Sequence, residues 1–163
     1  MEFSIYQAAA FTSTPFGGNP AAVVPLEEWI DDELMQKIAT ENNLSETAFF
    51  VASSGGYKIR WFTPRDEVKL CGHATLACAF VLFNELGYPG DTVEFDSLSG
   101  RLSVSKNNQL LTLNFPSQPP VKCEMPEFIV NGLGRMPVEC LRNEDFIAVF
   151  ETEDDVASII PDF

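Results

Sequence analysis

Residues 71–87 read CGHATLACAFVLFNELG and are the most informative segment of the chain. Nearly every position after His73 is apolar, and Gly87 is a typical residue to follow the C-terminus of a helix. The pattern predicts a helix to about Leu86. A helix that is apolar on almost every side has no face for water, so we expect it to lie inside a sheet or barrel. Its spacing assigns four side chains to the core: Leu76, Ala79, Phe80 and Phe83.

Short strands are predicted on both sides of this helix. Apolar runs bounded by Gly, Pro, Ser and Asn indicate strands rather than further long helices. Strands are expected at residues 2–10, 21–24, 45–52, 57–63, 92–95, 101–105 and 109–115. An additional helix is expected from Asp31 or Asp32 to about Asn42, since aspartate is a favoured N-cap residue. The mixture predicts the α+β class.

A proline-rich segment divides the chain. Residues 116–120 read PSQPP, which suits neither a helix interior nor a central strand. We therefore predict a first domain at 1–116, a linker at 117–120 and the start of a second, truncated domain at 121–163. The last segment is also more acidic, with 3 basic and 10 acidic residues among positions 117–163.

The overall charge excludes two classes of partner. The 163-residue chain has 24 acidic and 10 basic residues, for a formal net charge of −14. Nucleic acids and anionic membrane surfaces attract clustered Lys and Arg, so neither is expected to bind. The four cysteines contain no CxxC pair, and no basic leader precedes an apolar run, which together predict a cytoplasmic protein with reduced thiols.

Gly72 and His73 are the first candidates for chemistry. They open the long helix, where unpaired backbone N–H groups and the helix dipole favour an anion such as a carboxylate. Histidine is also the side chain that exchanges a proton most readily near neutral pH. The alternative is that they simply form a tight turn.

Glu46 is the second candidate. It stands at the head of an apolar strand, close to Leu44 and Phe49. A carboxylate partly removed from water is suited to acid–base work. The alternative is a solvent-facing residue at the strand end.

Three other interpretations of the motifs stay open at this point. Cys71 near a helix N-terminus could act as a nucleophile. Cys71, His73 and Cys78 are close in sequence, although their spacing is not that of a zinc site. Gly17-Gly18-Asn19 could contact a phosphate, although the residues that normally follow a phosphate loop are absent.

Four ordered blocks resemble the PhzF-like family of phenazine-biosynthesis-type isomerases. The blocks are FGGNPAAVV at 16–24, NLSETAF at 43–49, IRWFTP at 59–64 and CGHATL at 71–76. The resemblance implies a diaminopimelate-epimerase-like fold, in which a mixed barrel-like sheet wraps around a central helix. It further implies a cofactor-independent isomerase that needs no metal, acts on a small carboxylic acid and forms a homodimer.

The same resemblance assigns roles to individual residues. Glu46 matches the glutamate that moves a proton between carbons, and His73 matches the neighbouring histidine. We expect Gly72, His73, Ala74 and Asn19 to bind the substrate. Members of the family have a second lobe that completes the cleft, and we expect it to be incomplete here. A non-catalytic relative that folds, binds a small acid or oligomerises is therefore the alternative to an active isomerase.

Overall fold

The computed structural model describes residues 2–162, and the chain forms two compact units, Met1–Pro116 and Ser117–Phe163. The helices and strands of the first unit are β1 (Tyr6–Ala10), β2 (Asn19–Leu26), α1 (Asp32–Asn42), β3 (Glu46–Ser53), β4 (Gly56–Phe62), β5 (Glu67–Val68), α2 (Gly72–Asn84), β6 (Thr92–Ser97), β7 (Gly100–Asn107) and β8 (Leu110–Asn114). Those of the second unit are β9 (Val121–Lys122), α3 (Glu127–Leu133), β10 (Glu139–Arg142), β11 (Phe146–Val149) and α4 (Glu153–Ala157).

The first unit has a mixed sheet in the order β1-β2-β3-β4-β6-β7-β8, with β5 paired to β4 off this path. The β2–β3 and β4–β6 pairs are parallel, and the other neighbours are antiparallel. If this sheet were flat, its seven strands, with neighbours about 4.8 Å apart, would place β1 and β8 about 29 Å from each other. Helix α2 nevertheless contacts β1, β2 and β3 as well as β7 and β8. A helix is only about 10–12 Å wide, so the sheet must curl around α2 into a half-barrel.

Helix α2 is the centre of the main core, as its composition predicts. Its Ala74, Ala77 and Cys78 are almost completely buried among inward-facing strand residues such as Trp61 and Phe95. The predicted α+β fold with a sheet wrapped around a central helix is thus confirmed. One core assignment is wrong, because the Phe80 side chain is 47% exposed.

A smaller core lies on the other face of the sheet. There α1 contributes Met35 and Ala39, which pack against Phe49 and Phe62 of β3 and β4. Strands β2 to β4 are therefore covered on both faces by helices. This explains why residues 21–24 and 48–51 are continuous apolar runs rather than alternating ones.

The second unit has little buried side-chain area. Its three strands form an antiparallel sheet in the order β11-β10-β9, accompanied by two short helices. Within this unit only Pro137 and Cys140 are buried among the described residues. A capping box between Thr152 and Asp155 starts α4.

The sequence pattern did not predict two of the strands, β5 and β9. Both are two residues long: β5 lies between the strand predicted to end at residue 63 and the helix that follows, and β9 directly follows the predicted linker. A pair of residues cannot display an alternating period, so neighbouring strands define these elements instead.

No helix in residues 2–162 is long and apolar enough to cross a membrane.

Candidate active site

Glu46 begins β3 on the side of the sheet that faces α2. Successive strand residues point to opposite faces, and Ala48 and Phe50, two and four positions on, belong to the core around α2. In the parallel β2–β3 pair, Glu46 lies beside Ala21. The Glu46 side chain is mostly buried, with 19% of its surface exposed.

His73 lies opposite Glu46, at the second position of α2. Its ring is buried at the start of the helix, and Nε2 is 3.1 Å from Oε2 of Glu46. The two residues are 27 positions apart in the sequence, so the curled sheet is what brings them together. The structure therefore brings both sequence candidates into contact within the first unit.

The Glu46–His73 contact is close without being an aligned hydrogen bond. Both Oε2 and Nε2 are buried, and neither has a hydrogen-bonding partner within residues 2–162. Buried polar atoms are nearly always hydrogen-bonded, and exceptions call for an explanation such as a role in catalysis. This pair has the form of a carboxylate and an imidazole available to a third polar group.

Cys71 completes the cluster, in which the ligand atoms of Glu46, Cys71 and His73 all lie within 4.8 Å of one another. Its Sγ lies 3.5 Å from Nδ1 of His73. Burial, reinforced by the charge of Glu46, raises the pKa of the Cys71 thiol to about 12, although the backbone N–H groups of Ala74 and His73 act in the opposite direction. The thiol is therefore protonated at neutral pH, which argues against the nucleophile interpretation.

The same geometry speaks against a metal ion. Glu46, Cys71 and His73 offer three ligand atoms within 4.8 Å of one another. However, Glu46 contacts Nε2 of His73, whereas Cys71 contacts Nδ1 of the same ring. An ion bound to Nε2 would therefore leave Nδ1, the nitrogen that Cys71 contacts, turned away from it. Cys78, the third residue of the sequence-based metal alternative, is completely buried in the core.

The start of α2 supplies backbone donors beside this cluster. Gly72, His73 and Ala74 are its first three residues, and their N–H groups have no carbonyl one turn earlier to bind. A Cβ atom at Gly72 would lie only 2.8 Å from Cε2 of Phe115. Contact with that aromatic ring, rather than a special backbone angle, is what disfavours a larger residue here.

Asn19 lies at the start of β2, next to the strand that carries Glu46. Its Oδ1 accepts a hydrogen bond from the Ser45 hydroxyl at 3.2 Å. The preceding Gly18 has a φ of +72°, and a Cβ there would meet the Ala10 carbonyl, so the turn needs glycine. Asn19 thus belongs to a fixed turn that connects to the head of β3, and the phosphate-loop interpretation finds no support.

Two contacts were missed by the sequence reasoning. Ser45 holds Asn19, and Phe115 closes over Gly72. The position of Cys71 beside His73 could be predicted from the sequence, because the residue directly before Gly72 must lie at the same end of the helix. Phe115 follows β8, and no local pattern relates it to α2.

Taken together, these groups can hold an anion and move a proton. Backbone N–H groups and the positive end of the α2 dipole favour a carboxylate, while Glu46 and His73 can each carry a proton. The neutral Cys71 thiol can donate a hydrogen bond to one of them. All of these groups lie in the first unit.

Comparison with known proteins identifies the family of the chain. The family model described as phenazine biosynthesis-like protein matches residues 8–162. An uncharacterized isomerase of Pseudomonas aeruginosa is 47% identical over 163 residues, which are all of this chain and 63% of that protein. The crystal structure of a PhzF-family protein from Enterococcus faecalis has a TM-score of 0.91 at 44% identity, covering 99% of this chain and 62% of that one.

A more distant structure bears on the fold alone. The predicted epimerase of Pseudomonas aeruginosa superposes with a TM-score of 0.74 at 16% identity, over 99% of this chain and 64% of that one. The epimerase-like fold is therefore shown, and the chain spans less than two thirds of the length of these relatives. On the strength of the family match and the PhzF-type structure, the chain belongs to the phenazine biosynthesis-like (PhzC-PhzF) family.

Proposed function

We propose that this chain supplies the acid–base half of a cofactor-independent isomerase that shifts a proton on a small carboxylic acid. The observation that carries the proposal is the 3.1 Å approach of two buried, otherwise unpartnered atoms, Glu46 Oε2 and His73 Nε2. Such a pair can remove a proton from carbon and return it elsewhere on the same face of a bound molecule.

Glu46 is the base in this proposal. It takes a proton α or γ to the substrate carboxylate, and the C–H electron pair moves into the adjoining π system. The same carboxyl group then delivers the proton to another carbon, so the reaction consumes no redox equivalent. His73 stabilises the developing charge and orients Glu46, because its Nε2 faces Oε2.

The start of α2 holds the substrate carboxylate. Gly72, His73 and Ala74 provide N–H donors at the positive end of the helix dipole. Asn19 stands at the head of β2 as a neighbouring polar contact. A carboxylate held there would lie beside the Glu46 base, which contacts His73 at the same helix end, and this is why we assign this substrate class.

We also propose a cellular compartment and an oligomeric state, each on a separate observation. All four cysteines are free thiols, as is usual in the cytoplasm, where we place the protein. Phe11 and Phe16 in the loop before β2 are strongly exposed aromatic residues, which supports a self-association surface and a homodimer. Light scattering coupled to size-exclusion chromatography tests the dimer directly.

Proton exchange with solvent tests the proposed reaction. The protein is incubated in D2O with but-3-enoate, the simplest acid with an α proton and a γ acceptor carbon, and with a panel of α-amino acids. Deuterium incorporation is followed by proton NMR. Glu46→Gln should lower the exchange rate at least about 100-fold, because acid–base catalysis contributes that much or more.

The matched control is Glu41→Gln, which alters an exposed glutamate in α1. It should leave exchange unchanged, and both variants should show unaltered circular dichroism. Equal exchange by Glu46→Gln and wild type would remove Glu46 from the mechanism. Ligand-detected NMR showing binding without exchange in the wild-type chain would favour the non-catalytic, small-acid-binding alternative.

A further inference from the structure

Cys123 and Cys140 face each other in the second unit. Their Sγ atoms are 3.4 Å apart, and the Cys123 N–H donates to the Cys140 carbonyl at 3.0 Å. The antiparallel register of β9 and β10 pairs Lys122 with Leu141, so the two cysteines are directly opposite one step further along. They form a cross-strand thiol pair outside the proposed active site.

Backbone geometry at this position is compatible with a covalent link. Opposite residues of a hydrogen-bonded antiparallel pair have Cα atoms about 5.5 Å apart, within the range of natural disulfides. The sulfur atoms must close by about 1.3 Å to reach a bond of about 2.05 Å. Side-chain rotation can supply a movement of that size without separating the strands.

The two thiols differ in access to solvent. Cys140 is only 2% exposed, whereas Cys123 is half-buried at the end of β9. Burial and the contact with Cys123 raise the pKa of the Cys140 thiol. A dissolved oxidant therefore meets Cys123 first, and Cys140 is placed to react second.

The pair does not have the composition of a metal centre. Among the described residues, the cluster of three metal-type ligands is the one around His73, and neither Cys123 nor Cys140 belongs to it. Two thiols without a third ligand do not make a structural zinc site.

We propose that Cys123 and Cys140 form a reversible dithiol–disulfide site, oxidised by low-molecular-weight disulfides. The Cys123 thiolate attacks one sulfur of RSSR, forming a Cys123–SR bond and releasing RS⁻. After losing its proton, Cys140 attacks Sγ of Cys123 and expels the second RS⁻. Both leaving thiolates take up a proton, so two protein thiols are oxidised while one RSSR is reduced to two RSH.

The link would fix the part of the chain with the smallest core. It joins β9, directly after the proline-rich segment, to the central strand of the three-stranded sheet. Only one buried residue besides Cys140 is described in this unit, so cross-linking replaces packing that the sequence does not provide. Oxidation should therefore slow backbone amide exchange across residues 121–142.

Peptide mapping tests the site on the intact chain. The native protein is treated with 2-hydroxyethyl disulfide, its free thiols are blocked with iodoacetamide, and it is digested with trypsin without reduction. Trypsin cleaves after Lys122, Arg135 and Arg142, so the expected product is peptide 123–135 joined to peptide 136–142, lighter by two hydrogen atoms than the separate pair. Dithiothreitol should reverse it.

Single variants test the order of attack. Cys140→Ser should accumulate a mixed disulfide on Cys123, and Cys123→Ser should leave Cys140 unmodified over the same period. The guanidinium-unfolded chain serves as a control and should give mixed pairings. The proposal is overturned if the native wild-type chain keeps four free thiols, gives the same mixture as the unfolded chain, or reacts as fast at Cys140 as at Cys123.

Discussion

Cys71 Sγ lies 3.5 Å from Nδ1 of His73, the ring whose Nε2 lies 3.1 Å from Oε2 of Glu46. A thiol whose pKa is raised to about 12 keeps its proton at neutral pH. We infer that it donates this proton to Nδ1, which leaves the ring proton on Nε2, facing the carboxylate. Cys71 would then act as a positioning residue for His73.

Replacing the thiol tests this arrangement. Cys71→Ala should shift the tautomer of His73 and lower the kcat of proton exchange about tenfold, equivalent to about 1.4 kcal/mol, with little change in KM. Cys71→Ser retains a donor and should keep most of the rate. His73 is the only histidine, so a long-range nitrogen–proton NMR spectrum reports its tautomer without ambiguity. An unchanged tautomer in Cys71→Ala would rule out the positioning role.

The buried thiols also predict how stability depends on pH. The folded-state pKa of Cys71 is raised from 9.0 to about 12, and burial raises that of Cys78 well above 9.0. Their contribution to stability is fully present below about pH 9 and is lost as the pH rises toward the folded-state values. For Cys71, the free energy of unfolding should fall by roughly 1 kcal/mol between pH 9 and pH 10.

Urea unfolding at pH 8, 9 and 10 measures this effect. Cys71→Ala should flatten the alkaline decline, because alanine has no proton to lose. An identical decline in the wild type and the variant would contradict the assignment to Cys71.

Gly72→Ala should destabilise the first unit by about 1–2 kcal/mol. The added methyl group would lie 2.8 Å from Cε2 of Phe115, and overpacking of this kind has such a cost. Gly55→Ala is the control, since its Cβ would meet only the flexible end of Arg101 at 3.3 Å. Thermal unfolding distinguishes the two variants.

A double-mutant cycle identifies the cause. In a Phe115→Ala background the penalty for Gly72→Ala should largely disappear, because the clashing ring has been removed. If the two changes are additive, contact with Phe115 is not what requires glycine at this position.

Arg60→Lys should weaken the attachment of α1 to the sheet. The Arg60 guanidinium binds both carboxylate oxygens of Glu67, at 2.7 and 2.8 Å, and Asp32 at 2.7 Å, and it packs over the Trp29 ring. A lysine ammonium cannot reproduce this planar, forked set of contacts. We expect Tm to fall by a few degrees.

The matched control is Arg101→Lys, which alters a more exposed arginine paired with Asp96 and Glu94. Its effect on Tm should be close to zero, because exposed ion pairs contribute little. An equal effect of both variants would show that the contacts of Arg60 have no special weight.

The fold could be anticipated from the sequence to the extent that composition dictates burial. An all-apolar helix after Gly72 must be surrounded, and the runs at 21–24 and 48–51 are strands covered on both faces. Phe80 breaks the rule, because the half-barrel leaves part of α2 uncovered and a periodic pattern cannot indicate which part. The strands β5 and β9 are too short to have a period at all.

The residues of the candidate site were predicted on a different basis from the fold. Nothing local relates Glu46 to His73, and the two were brought together only by resemblance to a family. The geometry adds what neither pattern nor resemblance provides, namely that Cys71 contacts the second nitrogen of the same ring. Its role depends on a distance, and the sequence contains no distances.

The position of α2 has a consequence for the order of assembly. The β3–β4 hairpin closes through a two-residue turn and can form early, whereas the parallel β4–β6 pair joins Tyr57 to Phe95 only after α2 has crossed between them. Until β7 and β8 arrive from later in the chain, one side of this apolar helix is exposed to water and to other copies of itself. Aggregation during synthesis or refolding is therefore expected to compete with the closing of the sheet, and chaperones that hold exposed apolar helices should raise the yield.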